Sequence, residues 1–240
     1  MTASIPRGGE KNVRIDSAGD RASGRGLRDS RAGTQHGQRR DVPRTEAAPP
    51  ELTITVLIPA FNEEGSIQDT LDAVLLQTAP VERIIVVDDC STDRTAELCG
   101  AYPAVEVIRT PQNAGSKARA LNHVLPQCTT DLVMVIDGDA TLASDYVAQV
   151  LPVFCDPRVT SAAGCVLSKN VRTPAERGRN IELLFSAHFH RPIQNKAGAP
   201  LVISGCATLY RLSDLHEAGG WTSQTVCEDV DYTWMGSYSA

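Results

Sequence analysis

From residue 52 onward, short apolar runs alternate with helical periods. Leu52–Ile58 is a continuous apolar-rich run that stops at Pro59, which predicts a buried strand. Ile67, Leu71, Val74 and Leu75 then fall at i, i+4, i+7 and i+8, one face of an amphipathic helix. Ile84–Val87 predicts a second strand, with a helix from about Arg94, and Val105–Ile108 a third strand. Ala118, Leu121 and Leu125 mark another helix, and Leu132–Ile136 is a fully apolar fourth strand. Ser144 is the expected cap of a helix carrying Val147, Val150, Leu151 and Phe154. Thr173-Pro174-Ala175-Glu176 reads as a capping box with proline at the first helical position, opening a helix to about His188. A last strand is expected within Leu201–Tyr210, around Ser204-Gly205. Strands alternating with helices predict an α/β fold, with a mostly parallel central sheet flanked by helices.

Residues 1–50 follow neither period. They are rich in Arg, Gly, Ser, Asp and Pro and nearly devoid of large apolar residues, so they are expected to be a disordered tail. Pro49-Pro50 marks the boundary, and 51–240 is expected to be a single domain. The division is also one of charge. Of 23 Lys+Arg and 29 Asp+Glu, the tail holds 10 and 6, a net of +4; the remainder holds 13 and 23, a net of −10. An acidic domain is a poor partner for nucleic acid, and an anionic ligand bound to it needs added positive charge, for which a divalent cation is the natural source. The seven cysteines are odd in number and no two sit at C-x-x-C spacing, which argues against a disulfide framework and a zinc site. No run reaches the ~18 apolar residues of a membrane span, and the first residues carry no apolar signal core. The expected setting is therefore the cytoplasm, at or near the inner face of the cell membrane if the association is peripheral.

In open parallel sheets, ligands bind beyond the carboxyl ends of the strands. Three of the expected strands deliver acidic groups there. They are followed by Pro59-Ala60-Phe61-Asn62-Glu63-Glu64, by Asp88-Asp89-Cys90-Ser91-Thr92-Asp93, and by Asp137-Gly138-Asp139. One such Asp, Asp93, reads as a helix cap. The others repel each other and imply a shared metal or polar ligand. Asp137 and Asp139, spaced i and i+2 about a glycine, suit Mg²⁺ or Mn²⁺ bridging a diphosphate. Asn113–Asn122 adds Gly115, Lys117 and Arg119 near a helix start, a plausible diphosphate cradle. No P-loop and no dinucleotide fingerprint is present. Late in the chain stand Gly219-Gly220-Trp221 and Glu228-Asp229-Val230-Asp231, the latter offering a candidate general base.

Together these segments, in this order over about 52–234, resemble glycosyltransferase family 2, the inverting enzymes of the cellulose, hyaluronan and poly-N-acetylglucosamine synthase type. The resemblance implies a Rossmann-like GT-A fold and a UDP-sugar donor, N-acetylglucosamine or another UDP-linked hexose. It implies transfer with inversion to a glycan or lipid-linked acceptor. Carried over by position, Pro59, Ala60 and Glu63 line the nucleotide site, and Asp88 and Asp89 contact base and ribose. Lys117 lies near the donor, Asp139 holds the metal with Asp137, and Asp229 is the base. Glu228 and Trp221 are expected on the acceptor side.

Cys90 stands where the family usually has Gly, an expected alteration of the turn after Asp89. The family's Gln-x-x-Arg-Trp element and membrane helices do not follow Asp229, so the domain is expected to be C-terminally incomplete. Three other readings share part of the pattern. One is a nucleotidyltransferase, which also uses metal and a similar fold. Another is a truncated domain that binds a nucleotide sugar without transferring it. The third is a haloacid-dehalogenase-like phosphatase, from the D-x-D-x-T spacing of Asp137–Thr141.

Overall fold

The computed structural model describes residues 3–6, 51–168, 171–197 and 204–223. Its strands are β1 (Ala3–Pro6), β2 (Ile54–Ala60), β3 (Arg83–Asp88), β4 (Val105–Arg109), β5 (Leu132–Val135), β6 (Val159–Ala163) and β7 (Thr208–Arg211). Its α-helices are α1 (Ile67–Leu75), α2 (Thr95–Gly100), α3 (Lys117–Val124), α4 (Tyr146–Val150), α5 (Pro174–Phe185), α6 (Arg191–Ala197) and α7 (Leu212–Glu217).

The strands form one sheet in the order β1-β6-β7-β5-β2-β3-β4. β4, β3, β2 and β5 pair in parallel, as the alternation of strand and helix predicts. β7, β6 and β1 continue the sheet antiparallel. β2 is buried on both faces, which explains why Val56, Leu57 and Ile58 are apolar in succession and why even Thr55 is buried. Ile54, Val56 and Ile58 pack with Ile67 and Leu71 of α1 on one side of the sheet. Leu57, with Ile85, Val87 and Val133, packs with Ala118 and Leu121 of α3 on the other.

From β2 the chain winds outward through β3 to β4, then returns to place β5 on the opposite side of β2. That reversal opens a crevice beyond the carboxyl ends of β2 and β5, the position where doubly wound sheets take their ligands.

Several boundaries differ from the sequence expectation. The last strand begins at Thr208, after Ser204–Cys206, which forms a turn. Asp145, not Ser144, stands before α4, and the helix passes after Val150 into a 3-10 turn, Leu151–Cys155, with Pro152 at its start. The capping box at Thr173 and Glu176 is present, but the helix continues past His188 through a π turn, Ser186–His190, into α6. β6 was not expected at all. Within 1–50, Ala3–Pro6 forms a strand on the outer edge of β6 where no element was expected. Backbone pairing on a sheet edge needs no apolar side chains, so composition does not report it. The rest of that tail lies outside the described residues.

The entry ends of β2 and β5 are tied by Asp131. Its carboxylate accepts from the Thr53 amide (2.9 Å) and hydroxyl (2.7 Å), which holds its pKa below the usual carboxylate range. A lowered native pKa stabilises the fold above the unfolded value, and that contribution is lost as pH falls through the native one. Asp131→Ala should therefore lower Tm by roughly 2–4 °C at neutral pH. The gap from wild type should close below about pH 4, as followed by thermal melts across pH.

Candidate active site at the strand switch

The loops leaving β2 and β3 are bonded to one another. Asn62 sits in the left-handed region at φ 58°, which Asn tolerates better than most residues. Its amide donates to Ser91 Oγ (3.0 Å), and its carboxamide oxygen accepts from the Thr92 amide (2.8 Å). The Glu63 amide donates to Thr95 Oγ1, and the Glu64 amide to Asp93 Oδ2. Asp93 also accepts from the Thr95 amide at the start of α2, but from one residue ahead of the cap position expected of it, which Arg94 occupies. Loss of solvent pushes its carboxyl up, but the bonds from Thr95 and Glu64 outweigh this and hold it below its ordinary value.

Asp88 and Asp89 point different ways, as successive residues at a strand end do. Asp88 is fully buried; Oδ2 pairs with Arg109 Nη1 (2.7 Å) and Oδ1 accepts from the Ser91 amide (2.9 Å). The expected contact of Asp88 with a nucleotide is thus corrected. Both its oxygens are engaged behind the site, where they brace the turn that presents Asp89. Arg109 was missed by the sequence reading, although it lies directly across from Asp88 in the β3–β4 register. Cys90 adopts φ 63°, the left-handed geometry a glycine would take freely, and its thiol donates to the Thr110 carbonyl (3.3 Å). The turn expected to change at Cys90 is therefore a left-handed one, held by that bond.

Asp89 Oδ1 accepts from Thr110 Oγ1 (2.8 Å) and the Ala114 amide (2.7 Å). This anchors the loop before α3, where Gly115 turns at φ 74° and Ser116 caps the helix by accepting from the Arg119 amide. Lys117 is thereby aimed across the crevice. Its Nζ reaches Asp137 Oδ1 at 2.5 Å and the Gly205 carbonyl at 3.0 Å. Arg119 is exposed on the helix surface and takes no part.

Gly138 is favoured by close approach rather than by φ. A Cβ there would come within 3.1 Å of Glu63 Cγ, and its carbonyl accepts from Thr70 Oγ1 (2.9 Å). Asp139 is exposed, and among the described residues nothing hydrogen-bonds or ion-pairs with its carboxylate. The far wall against which Lys117 rests is the Ser204–Cys206 turn, outside the residues that line the cleft itself. Burial, and then the neighbouring Asp137 charge, push the Cys206 thiol up to about 11. Tyr146 holds this wall: its hydroxyl accepts from the Gly164 amide (2.8 Å) and donates to the Ala207 carbonyl.

The loops after β2 and β5, with Asp89 and Lys117, bound a cleft of about 270 Å³. Pro59, Ala60, Glu63, Asp89, Lys117, Asp137 and Asp139 all line it, and Asp88 does not. Phe61, 49% exposed on the same wall, was quoted in the motif but given no role. Trp221 is not available to a sugar as expected. It is 2% exposed, stands edge-on to Tyr210, and exchanges two hydrogen bonds with Asn122. Gly219 and Gly220, at φ 80° and 88°, turn the chain so that it enters this core. Glu228 and Asp229 lie outside the described residues. Among the described residues no three metal-binding side chains cluster; Asp137 and Asp139, the expected metal residues, are two of the four carboxylates lining the cleft, with Glu63 and Asp89. Hard oxygen donors with an open side fit Mg²⁺ or Mn²⁺ that takes its remaining ligands from a diphosphate and water.

Residues 55–219 match the family model for glycosyl transferase family 2. The chain is 29% identical over 185 residues to a poly-beta-1,6-N-acetyl-D-glucosamine synthase of Staphylococcus epidermidis, covering 75% of this chain and 45% of that one. It is 31% identical over 209 residues to a beta-monoglucosyldiacylglycerol synthase of Synechocystis, covering 78% and 43%. It thus spans less than half the length of these relatives. Among solved structures it superposes on a mannosyltransferase of Pyrobaculum calidifontis in complex with GDP-Man and Mn²⁺, with a TM-score of 0.61, 26% identity, and coverage of 78% and 53%. With the family match running through every lining residue of the cleft, the chain belongs to glycosyl transferase family 2.

Proposed function

We propose that this domain binds a UDP-sugar, N-acetylglucosamine or another UDP-linked hexose, and transfers the sugar with inversion to a glycan or lipid-linked acceptor. The observation that carries the reading is the convergence of Asp89, Lys117, Asp137 and Asp139 on one cleft at the strand switch. Asp89, with its backbone held by Asn113, faces the nucleoside, and Phe61 offers a ring face to the base. Lys117 supplies positive charge to the diphosphate. Asp139, assisted by Asp137, holds Mg²⁺ or Mn²⁺, which when bound neutralises the departing diphosphate. Asp229 takes the proton from the acceptor hydroxyl, whose oxygen attacks the anomeric carbon as the bond to the diphosphate breaks. A relative whose name is a poly-N-acetylglucosamine synthase favours an N-acetylglucosamine donor. The GDP-Man complex of the mannosyltransferase makes GDP-mannose the natural competitor in a test. The relative that makes a glucosyldiacylglycerol keeps a lipid acceptor and peripheral membrane association within the same reading. The phosphatase alternative, which would make Asp137 a nucleophile, is disfavoured by the family match over residues 55–219.

Calorimetry with UDP should give an affinity that falls at least about tenfold when Mn²⁺ is replaced by chelator. Asp139→Ala should abolish that difference. Equal affinity with and without metal would overturn the metal assignment, and tighter binding of GDP than of UDP would overturn the donor.

For the base, Asp229→Asn should eliminate sugar transfer while UDP affinity stays within about twofold of wild type. Loss of both properties together would make Asp229 structural or a donor ligand, and unchanged transfer would pass the role to another group such as Asp231.

A further inference from the structure

The helical segment from α5 to α6 is turned inside out. Among its described side chains only Ala187 is buried. Its large apolar residues Ile181, Phe185, Phe189 and Ile193 follow each other at every fourth position and are 67%, 49%, 56% and 63% exposed. Phe185 and Phe189 stack at 4.8 Å, and the His190 ring stands edge-on to Phe185. A helix that merely covers a domain puts its apolar stripe on the core and its polar face outward. Here the stripe faces solvent, with Leu184 alongside it.

The charge of the segment is equally out of place. Residues 172–196 carry five Lys or Arg and two Glu, a net of +3, within a domain of net −10. Arg172, Arg177 and Arg179 are exposed near the start of the stripe, and His188 and His190 are exposed beside the stacked rings. A cationic rim at the start of a stripe of aromatic and aliphatic side chains, here with Glu182 as the exposed acidic residue among them, is the composition of helices that lie in the plane of an anionic membrane. There the rings enter the headgroup boundary and the guanidinium groups meet phosphates. A two-fold dimer through this face would set the same positive rim against itself.

We propose that the exposed face of α5–α6 docks on the surface of an anionic phospholipid bilayer. The docking face connects to the cleft by a short chain of bonds. Arg191 Nη1 donates to the Gly164 carbonyl (2.7 Å), the Gly164 amide to Tyr146, and Tyr146 to Ala207, in the turn whose Gly205 carbonyl receives Lys117. Docking here is thereby linked, through Tyr146, to the turn that receives Lys117. Its functional consequence, a lipid-linked acceptor met at the membrane, rests on the proposed transferase, whereas docking itself does not.

The test is co-sedimentation of the full chain with vesicles of phosphatidylcholine alone and of phosphatidylcholine mixed with phosphatidylglycerol. Wild type should sediment with the anionic vesicles, lose binding as salt is raised, and leave the neutral vesicles largely unbound. Phe185→Ser with Phe189→Ser should reduce binding about tenfold or more, and Arg177→Glu with Arg179→Glu should remove its salt dependence. UDP-induced thermal stabilisation, measured on the same samples, should be unchanged in both variants. That readout separates failed docking from failed donor binding, and a lost thermal response in wild type would count against the transferase alone. Absence of wild-type binding, equal binding to neutral vesicles, or full retention in the Phe variant would overturn the proposal; retention would assign the binding to the basic residues of 1–50. A concentration-dependent dimer abolished by the same Phe substitutions would overturn it in favour of a second copy.

Discussion

Carboxylates brought together at one sheet edge repel each other, and at an effective dielectric near 20 two such charges about 4 Å apart oppose each other by about 4 kcal/mol. Much of the architecture around the cleft follows from how that repulsion is met. Asp88 is sealed beneath the site against Arg109 and the Ser91 amide. Asp89 is met by a hydroxyl and a backbone amide, neutral donors that fix its direction without cancelling its charge. Asp137 is paired with Lys117. Among the described residues only Asp139 stands at the mouth of this cleft with no such partner. The carboxylate left without a partner is thus an exposed one, while those behind it are each met by a donor.

The parallel half of the sheet was readable because it is buried on both faces. Apolar-rich runs at 52–58, 84–87 and 132–136, each followed by acidic residues, report strand and site together. The antiparallel half was not. β6 reads Val-Thr-Ser-Ala-Ala, small and partly polar, and is fully buried because helices and neighbouring strands cover it, which no local period announces. β7 was displaced from the expected position because Ser204-Gly205 looks like a strand interior until the turn is seen to be set by Lys117 and Tyr146, from distant parts of the chain.

The site shows the same division. Seven of the eight expected donor-side residues line the cleft because strand ends are local features. Asp88 and Trp221 were misassigned because orientation is not local. Alternation along β3 turns Asp88 away from Asp89, and the reciprocal bonds between Asn122 and Trp221 span 99 residues to carry the indole into the core. Arg109 and Tyr146 carried no motif, since each acts by bracing another residue. Only pairing register or a solved contact exposes that role.

Tyr146 shows how narrowly the far wall is specified. Its ring lies so close to Gly164 that a Cβ at that position would overlap it, so a side chain there must displace the ring. Burial drives its phenol pKa upward, so the hydroxyl stays protonated and remains a donor to Ala207 while accepting from Gly164. Ala207 meets that bond in the left-handed region at φ 54°, a conformation a non-glycine residue keeps only when its surroundings enforce it. The turn bearing Gly205 is thus pinned from below by Tyr146 and from within the cleft by Lys117. The same lysine neutralises Asp137, so the electrostatic balance of the cleft and the position of its far wall are fixed by one side chain.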